Sequence, residues 1–436
     1  MIYNLQNNYI NRILQRVIGD SEFKKNLITL TGGVAIAQVI PILCSPILTR
    51  LFTPDDFGLY ANFMSIAAFL IVLISGKYEY AIILPQKDQE AINILSLTCL
   101  LAIFFSLLFC LIFLAFGNPI VELLNAGKLS QYMWMIPVCA LLSAVFYIFN
   151  EWCIRKKWFV TLGKNKISNT TGIAGTSILF GLAKLQPGLI LGQILGQIFS
   201  GASAIIRVLK KDRHLFAYIT TDKMWYFAKR YSNFPKFTMS GQILNTIGSQ
   251  LPVFVISSQF GLYETGLYMM VVRVMGMPIT FLGNSFADVF KQRAAQDYQT
   301  NGNCIDIYKK TVFSLIKIAI IPFIALLIIA PPLFEFVLGA EWYVAGIYAR
   351  YLCVYLLLSL ISAPVCWMTV IAEKQHLSLI WQMLYIALAV IFLFVGAILH
   401  DIKMTLLMLC VAYSIAHLIM ILMCYKLAKG NSNNNN

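Results

Sequence analysis

Negative charge is what this sequence has least of. Its 436 residues carry 19 Asp and Glu against 33 Lys and Arg, and only four His. The acids Glu264, Asp288, Glu335, Glu341 and Glu373 all fall near the ends of apolar runs, so no relay of paired carboxylates is legible inside them. The histidines His214, His376, His400 and His417 are dispersed and give no metal-ligand spacing. Ten cysteines, from Cys44 to Cys424, mostly sit within apolar runs without paired spacing, which excludes a legible disulfide framework and favours buried thiols. With 12% charged residues the chain also lacks the polar surface of a soluble globule.

What remains is hydrocarbon. Hydrophobic residues make up 59% of the chain and its mean hydropathy is +0.76. Apolar runs of about 20 residues each are the length that crosses a bilayer as a helix. Twelve are expected. The first six are Leu27–Leu48, Phe57–Ile74, Ala91–Phe116, Tyr132–Trp152, Ile167–Leu185 and Leu189–Leu209. The second six are Phe237–Ser257, Leu262–Phe281, Thr311–Phe334, Ile347–Ile371, Leu377–Ile398 and Met404–Tyr425.

Positive charge is distributed between them by alternation. Lys and Arg crowd every second gap, from Arg12 and Lys24 through Arg155–Lys157 and Arg207–Lys236 to Lys426 and Lys429. The opposite gaps hold only Arg50, Lys128, Lys184, Arg350 and Lys403. Such alternation is the positive-inside pattern, so an even number of spans with both termini cytoplasmic is expected. The net charge of +14 then reflects cytoplasmic loops on anionic membrane lipids rather than nucleic acid.

The longest basic gap divides the chain. The expected organisation is a cytoplasmic amphipathic segment (1–26), an N-lobe (27–209), a basic linker (210–236), a C-lobe (237–425) and a disordered cytoplasmic tail (426–436). The first segment repeats Ile10, Ile13, Leu14, Val17 and Ile18 at helical spacing and has no apolar leader core. Six spans per lobe make the two lobes parallel repeats. A faint echo supports this: Phe57-Gly58-Leu59-Tyr60 opens the second segment and Thr265-Gly266-Leu267-Tyr268 the eighth, with a rival Gly261-Leu262-Tyr263 nearby.

Two cations lie within apolar segments. Arg273 sits well inside the eighth, where an unpaired charge costs on the order of 3 kcal/mol, so it is expected to face a cavity. Lys317 lies in the ninth and competes with snorkelling. Arg50 and Arg350, at outer ends, are further candidates for holding an anion. Lys77 and Glu79 read as a surface pair or as part of a gate or ion-coupling device. Pro41 and Pro46 in the first segment and Pro252 in the seventh are candidate hinges. Positive charge with few carboxylates suits an anionic substrate and poorly suits cationic drugs.

These features resemble the polysaccharide biosynthesis flippases of bacterial envelopes, within the multidrug/oligosaccharidyl-lipid/polysaccharide exporter superfamily. The telling stretches are Leu51-Phe52-Thr53-Pro54-Asp55-Asp56-Phe57-Gly58-Leu59-Tyr60, then Tyr78-Glu79-Tyr80-Ala81-Ile82-Ile83-Leu84-Pro85, then Gly266-Leu267-Tyr268 followed by Arg273. The resemblance implies an all-α protein of the inner membrane, with two six-helix lobes around a central cavity. It implies a non-enzyme that moves undecaprenyl-diphosphate-linked oligosaccharide, for O-antigen or capsule, to the outer leaflet. No cofactor is implied beyond H+ or Na+ coupling, and a partner polymerase is. A peptidoglycan-precursor flippase or drug exporter of the same superfamily is the alternative. A membrane-embedded polymerase is a more distant one, because the outer gaps are short.

Overall fold

The computed structural model describes residues 21–123 and 126–430, and every regular element among them is helical. The expected amphipathic N-terminal segment falls almost wholly outside the described residues, as does the Asn-rich end of the tail. In chain order the helices of the first half are α1 (Ser21–Leu51), α2 (Pro54–Ile74), α3 (Asp88–Leu123), α4 (Met135–Arg155), α5 (Phe159–Leu182) and α6 (Gly188–Asp212). A short helix α7 (Thr221–Arg230) follows in the basic linker. The second half has α8 (Met239–Asn301), α9 (Ile305–Leu338), α10 (Tyr343–Val365), α11 (Met368–Ile371), α12 (Gln375–Ile398) and α13 (Ile402–Ala428).

The expected segments lie on these helices, the tenth running over both α10 and α11, because a helix alone satisfies the backbone of an isolated apolar run. Ten helices among the described residues are long and apolar enough to cross a membrane. Two differences from the expected twelve have physical causes. The helix α5 begins earlier than the hydropathy indicates and falls short of that measure. Its polar Asn165 is nonetheless buried, where its amide donates to Asn150 Oδ1 at 2.9 Å and its oxygen accepts from Arg207 at 2.8 Å. The seventh and eighth segments form one helix, α8, which breaks at Gly261 with φ 85° and ψ −173°, a conformation open to glycine. Pro41, Pro46 and Pro252, the expected hinges, all lie where the helix continues.

The motif beginning at Leu51 is a helix start. Thr53 caps α2, its backbone N–H donating to Asp56 Oδ2 at 3.0 Å while its hydroxyl accepts from the Asp56 N–H, and Pro54 takes the first turn.

Packing resolves the sequence echo. A Cβ on Gly58 would overlap the Leu262 carbonyl oxygen, and a Cβ on Gly266 would overlap the Pro54 carbonyl oxygen. Pro54 stands to Gly58 as Leu262 stands to Gly266, so the two glycines make reciprocal contacts where α2 crosses the bend of α8. Gly261-Leu262-Tyr263 is the break itself and not the counterpart. Further along the same seam Asn62 donates to Ser257 Oγ at 2.6 Å and Ser65 donates to Gln250 Oε1 at 2.7 Å.

Around this crossing the helix ends of the two halves are sealed together. The Trp342 indole donates to Thr49 O at 3.2 Å and packs edge-on against Phe57 at 5.2 Å. The largest buried cluster accordingly joins Leu48, Phe52 and Phe57 of the first half to Leu267, Phe334 and Trp342 of the second. A second cluster, around Phe63, Ile94 and Trp152, lies within the first half.

At the other end of the first half a buried acid ties three helices. Asp212, at the end of α6, accepts from the Trp152 indole at 2.9 Å and pairs with Lys156 at 3.4 Å; Lys156 also meets Asp88 at 2.7 Å, and Asp88 meets Arg155 at 2.9 Å. Replacing Asp212 with Ala orphans the buried indole N–H and one lysine contact. A loss of about 3 kcal/mol is expected, read as a lower unfolding temperature of the detergent-solubilised protein. An unchanged melting temperature would remove this network from the stability of the lobe.

Candidate functional site: a cavity between the halves

A cavity of about 280 Å³ opens between the halves. Pro41 and Leu48 of α1, Tyr60 of α2, Thr170 to Ser177 of α5, and Leu189 and Gln193 of α6 form its N-terminal wall. Met269 and Arg273 of α8 close it from the other side. Tyr60 donates to Gln193 Oε1 at 2.7 Å, which holds the phenol ring against the wall.

Arg273 is the one charged side chain lining this cavity among the described residues. It is half-buried and forms no hydrogen bond or ion pair with them; Tyr60 and Cys44 are its near polar neighbours. A guanidinium carries five donors in a planar fork matched to phosphate or carboxylate oxygens. Held here without a protein anion, it offers all five to whatever enters.

The other expected cations are not brought to this cavity. Lys317 is exposed on α9 and unpaired. Arg50 is spent on backbone: Nη1 donates to Pro46 O at 2.6 Å and to Val337 O at 3.2 Å, the latter an end carbonyl of α9 without a helical partner. It lines a separate recess of about 290 Å³ with Glu341 and Trp342 at the sealed end. Arg350 donates to Ile328 O, the carbonyl that Pro332 leaves free four residues later. Both arginines therefore bond helix backbone, and neither is among the residues lining the central cavity.

Lys77 and Glu79 are paired as expected but not at the surface. Their side chains meet at 3.3 Å and both are buried, in a turn where Lys77 adopts a left-handed backbone with φ 60°. Glu79 Oε2 is buried without a partner, and Glu151 of α4 lies within its electrostatic reach. In the same turn burial raises the Tyr78 phenol above its ordinary range, and its hydroxyl donates to Ala228 O of α7 at 2.8 Å.

Sequence reasoning missed Gln193 and the seam residues Asn62, Ser65, Gln250 and Ser257. Their polarity inside apolar segments was the available signal.

The family model described as "Polysaccharide biosynthesis protein" matches residues 47–346 of this sequence. The chain belongs to this family. The matched stretch runs from the C-terminal end of α1 to the start of α10, and so contains the α2–α8 crossing, most of the cavity wall and Arg273. Among solved structures the fold is similar to the lipid II flippase MurJ in an inward closed conformation, with a TM-score of 0.74 at 13% identity over 92% of this chain and 90% of that one. It is similar to an inward-facing multidrug resistance MATE transporter of the MOP superfamily, with a TM-score of 0.72 at 12% identity, over 89% of this chain and 94% of that one. An outward-facing MATE transporter superposes less well, at 0.56 with 14% identity, over 95% of this chain and 97% of that one. No curated protein matches the chain. The family member is thus a multi-pass membrane protein with the fold of transporters and flippases.

Proposed function

We propose that this family member is a flippase for an oligosaccharide carried on undecaprenyl diphosphate, delivering O-antigen or capsule repeat units to the outer leaflet of the bacterial inner membrane. The observation that carries the reading is the Arg273 guanidinium, unpaired and the one charge lining the cavity between the halves among the described residues. A diphosphate and its sugars cannot cross about 30 Å of hydrocarbon unaided. A fixed guanidinium meets the diphosphate by charge-assisted hydrogen bonds, while the polyprenyl tail stays in lipid. Rocking of one half on the other then exchanges access between the two faces. The alternating charge pattern supports cytoplasmic termini, and with them a cavity loaded from the cytoplasmic side.

A peptidoglycan-precursor flippase is the second reading, because the lipid II flippase MurJ has a similar fold. An exporter of cationic drugs is disfavoured by a cavity whose one charge is positive.

Deleting the gene and probing lipid-linked glycans with a membrane-impermeant glycan-cleaving reagent separates these. Repeat units protected in intact spheroplasts and cleaved after lysis, with surface polymer lost, are the expected result. Repeat units still reaching the outer leaflet would overturn the reading, and trapped lipid II in their place would select the precursor flippase.

A further inference from the structure

The second half contains a buried imidazole that the cavity does not use. His417 is 9% exposed on α13. It lies on the order of 16 Å along the helix from the C-terminal end at Ala428, near the middle of a roughly 30 Å apolar layer. Its Nδ1 is 2.8 Å from Ser362 Oγ on α10. That hydroxyl also lies 3.0 Å from Ser359 O, and with its single proton given there it accepts from Nδ1–H. In that arrangement the neutral ring carries its proton on Nδ1, and Nε2 keeps a lone pair.

Two aromatic rings of α12 flank the imidazole, Trp381 at 5.9 Å and Tyr385 at 6.0 Å between centroids. Trp381 is pinned by its indole N–H to Ala416 O at 2.7 Å. Tyr385 stacks on Tyr413 at 4.3 Å with planes 6° apart, and Tyr413 donates to Gly248 O at 2.9 Å. Gly248 stands one helical turn before Pro252, so this is the carbonyl that the proline leaves without its helical donor. An unbroken line of contacts thus runs from His417 through the stacked phenols to the proline turn of α8.

The groups facing the ring are few. The helix α10 contributes Ser362, and α12 contributes Trp381 and Tyr385. No carboxylate, lysine or arginine among the described residues bonds to the imidazole.

We infer that His417 is a proton-binding site, and that taking up a proton at Nε2 shifts the Tyr385–Tyr413 stack and the α8 proline turn, coupling proton movement to the change of access. The imidazolium is stabilised by the facing π-surfaces but penalised by burial, so it favours a conformation in which water reaches Nε2. The proton comes from water on the acidic side and leaves to water on the other; no further reactant is needed. The coupling step rests on the flippase reading above, whereas proton binding does not.

The test uses the purified full chain and its His417→Gln variant, both retaining the other three histidines. On acidification from about pH 8 to 4, the native protein should take up about half a proton more per molecule than the variant. Equal uptake overturns the proton site. Histidine-selective 15N spectra of the native protein read the same site without a substitution. One neutral ring locked with its proton on Nδ1 is expected, and Nε2–H tautomers at every ring overturn the assignment. In liposomes, an imposed pH gradient should speed flipping of a polyprenyl-diphosphate-linked oligosaccharide about tenfold in the native protein and not in the variant. Equal acceleration in both overturns the coupling. If neither protein moves the lipid while the extra proton is still bound, the flippase reading falls and the proton site stands.

Discussion

Arg273→Ala should abolish surface glycan while the protein inserts at its normal level. The guanidinium has no protein partner, so its removal orphans no buried acid and leaves every described hydrogen bond in place. The substitution even relieves the cost of keeping a charge within a span, and an equal or higher melting temperature is expected. What is lost is the cavity's one charge. Two charge-assisted hydrogen bonds to a diphosphate are together worth about 3 kcal/mol or more, which is about a hundredfold in rate when they form on the way to the transition state. Lysine restores the point charge but not the fork, so Arg273→Lys should retain about a tenth of native flux. Quantifying surface polymer against immunoblotted protein distinguishes the cases. Native polymer in the Ala variant at equal protein level would remove Arg273 from the mechanism.

The same residue shows how far the sequence can be read. A lone arginine in an apolar segment has few physical solutions, and the structure adopts the cavity solution. Lys317, Arg50 and Arg350 carry the same charge, yet only their surroundings decide their roles. Pro332 frees a carbonyl that Arg350 then meets, and the end of α9 supplies one to Arg50; both relations depend on three-dimensional neighbours and leave no trace in spacing. Lys77 and Glu79 read as a surface pair because a turn between spans is ordinarily solvated. The left-handed turn at Lys77 instead folds them inward beneath α4. Span positions were legible because a hydrocarbon solvent leaves the backbone one economical answer. The start of α5 was not, since Asn165 is satisfied by partners from α4 and α6 that local sequence does not name. The repeat echo was legible as letters only. Reciprocal packing of Gly58 and Gly266 is what turns it into a register.

That crossing yields the second large effect. Gly58→Val or Gly266→Val should prevent this end of the two halves from closing and stop transport in a protein that still folds. A side chain at either position would overlap a backbone carbonyl of the facing helix, and a backbone oxygen in a helix cannot rotate aside as a flexible side chain can. Accommodating it means separating α2 from the bend of α8, which also draws apart the Trp342–Thr49 and Arg50–Val337 contacts across the same end. Overpacking of this kind costs about 3 kcal/mol. Charged to the closed state alone, it shifts the balance between closed and open forms of this end about a hundredfold. Ala61, 4% exposed on α2 near this seam, provides the reporter. A cysteine placed there should react slowly with a membrane-impermeant maleimide in the native background and rapidly in either valine variant. The double variant should add little to each single one, because both side chains oppose a single crossing and its separation relieves both. Additive effects, or unchanged labelling with transport intact, would mean that the two glycines pack the helices without gating them.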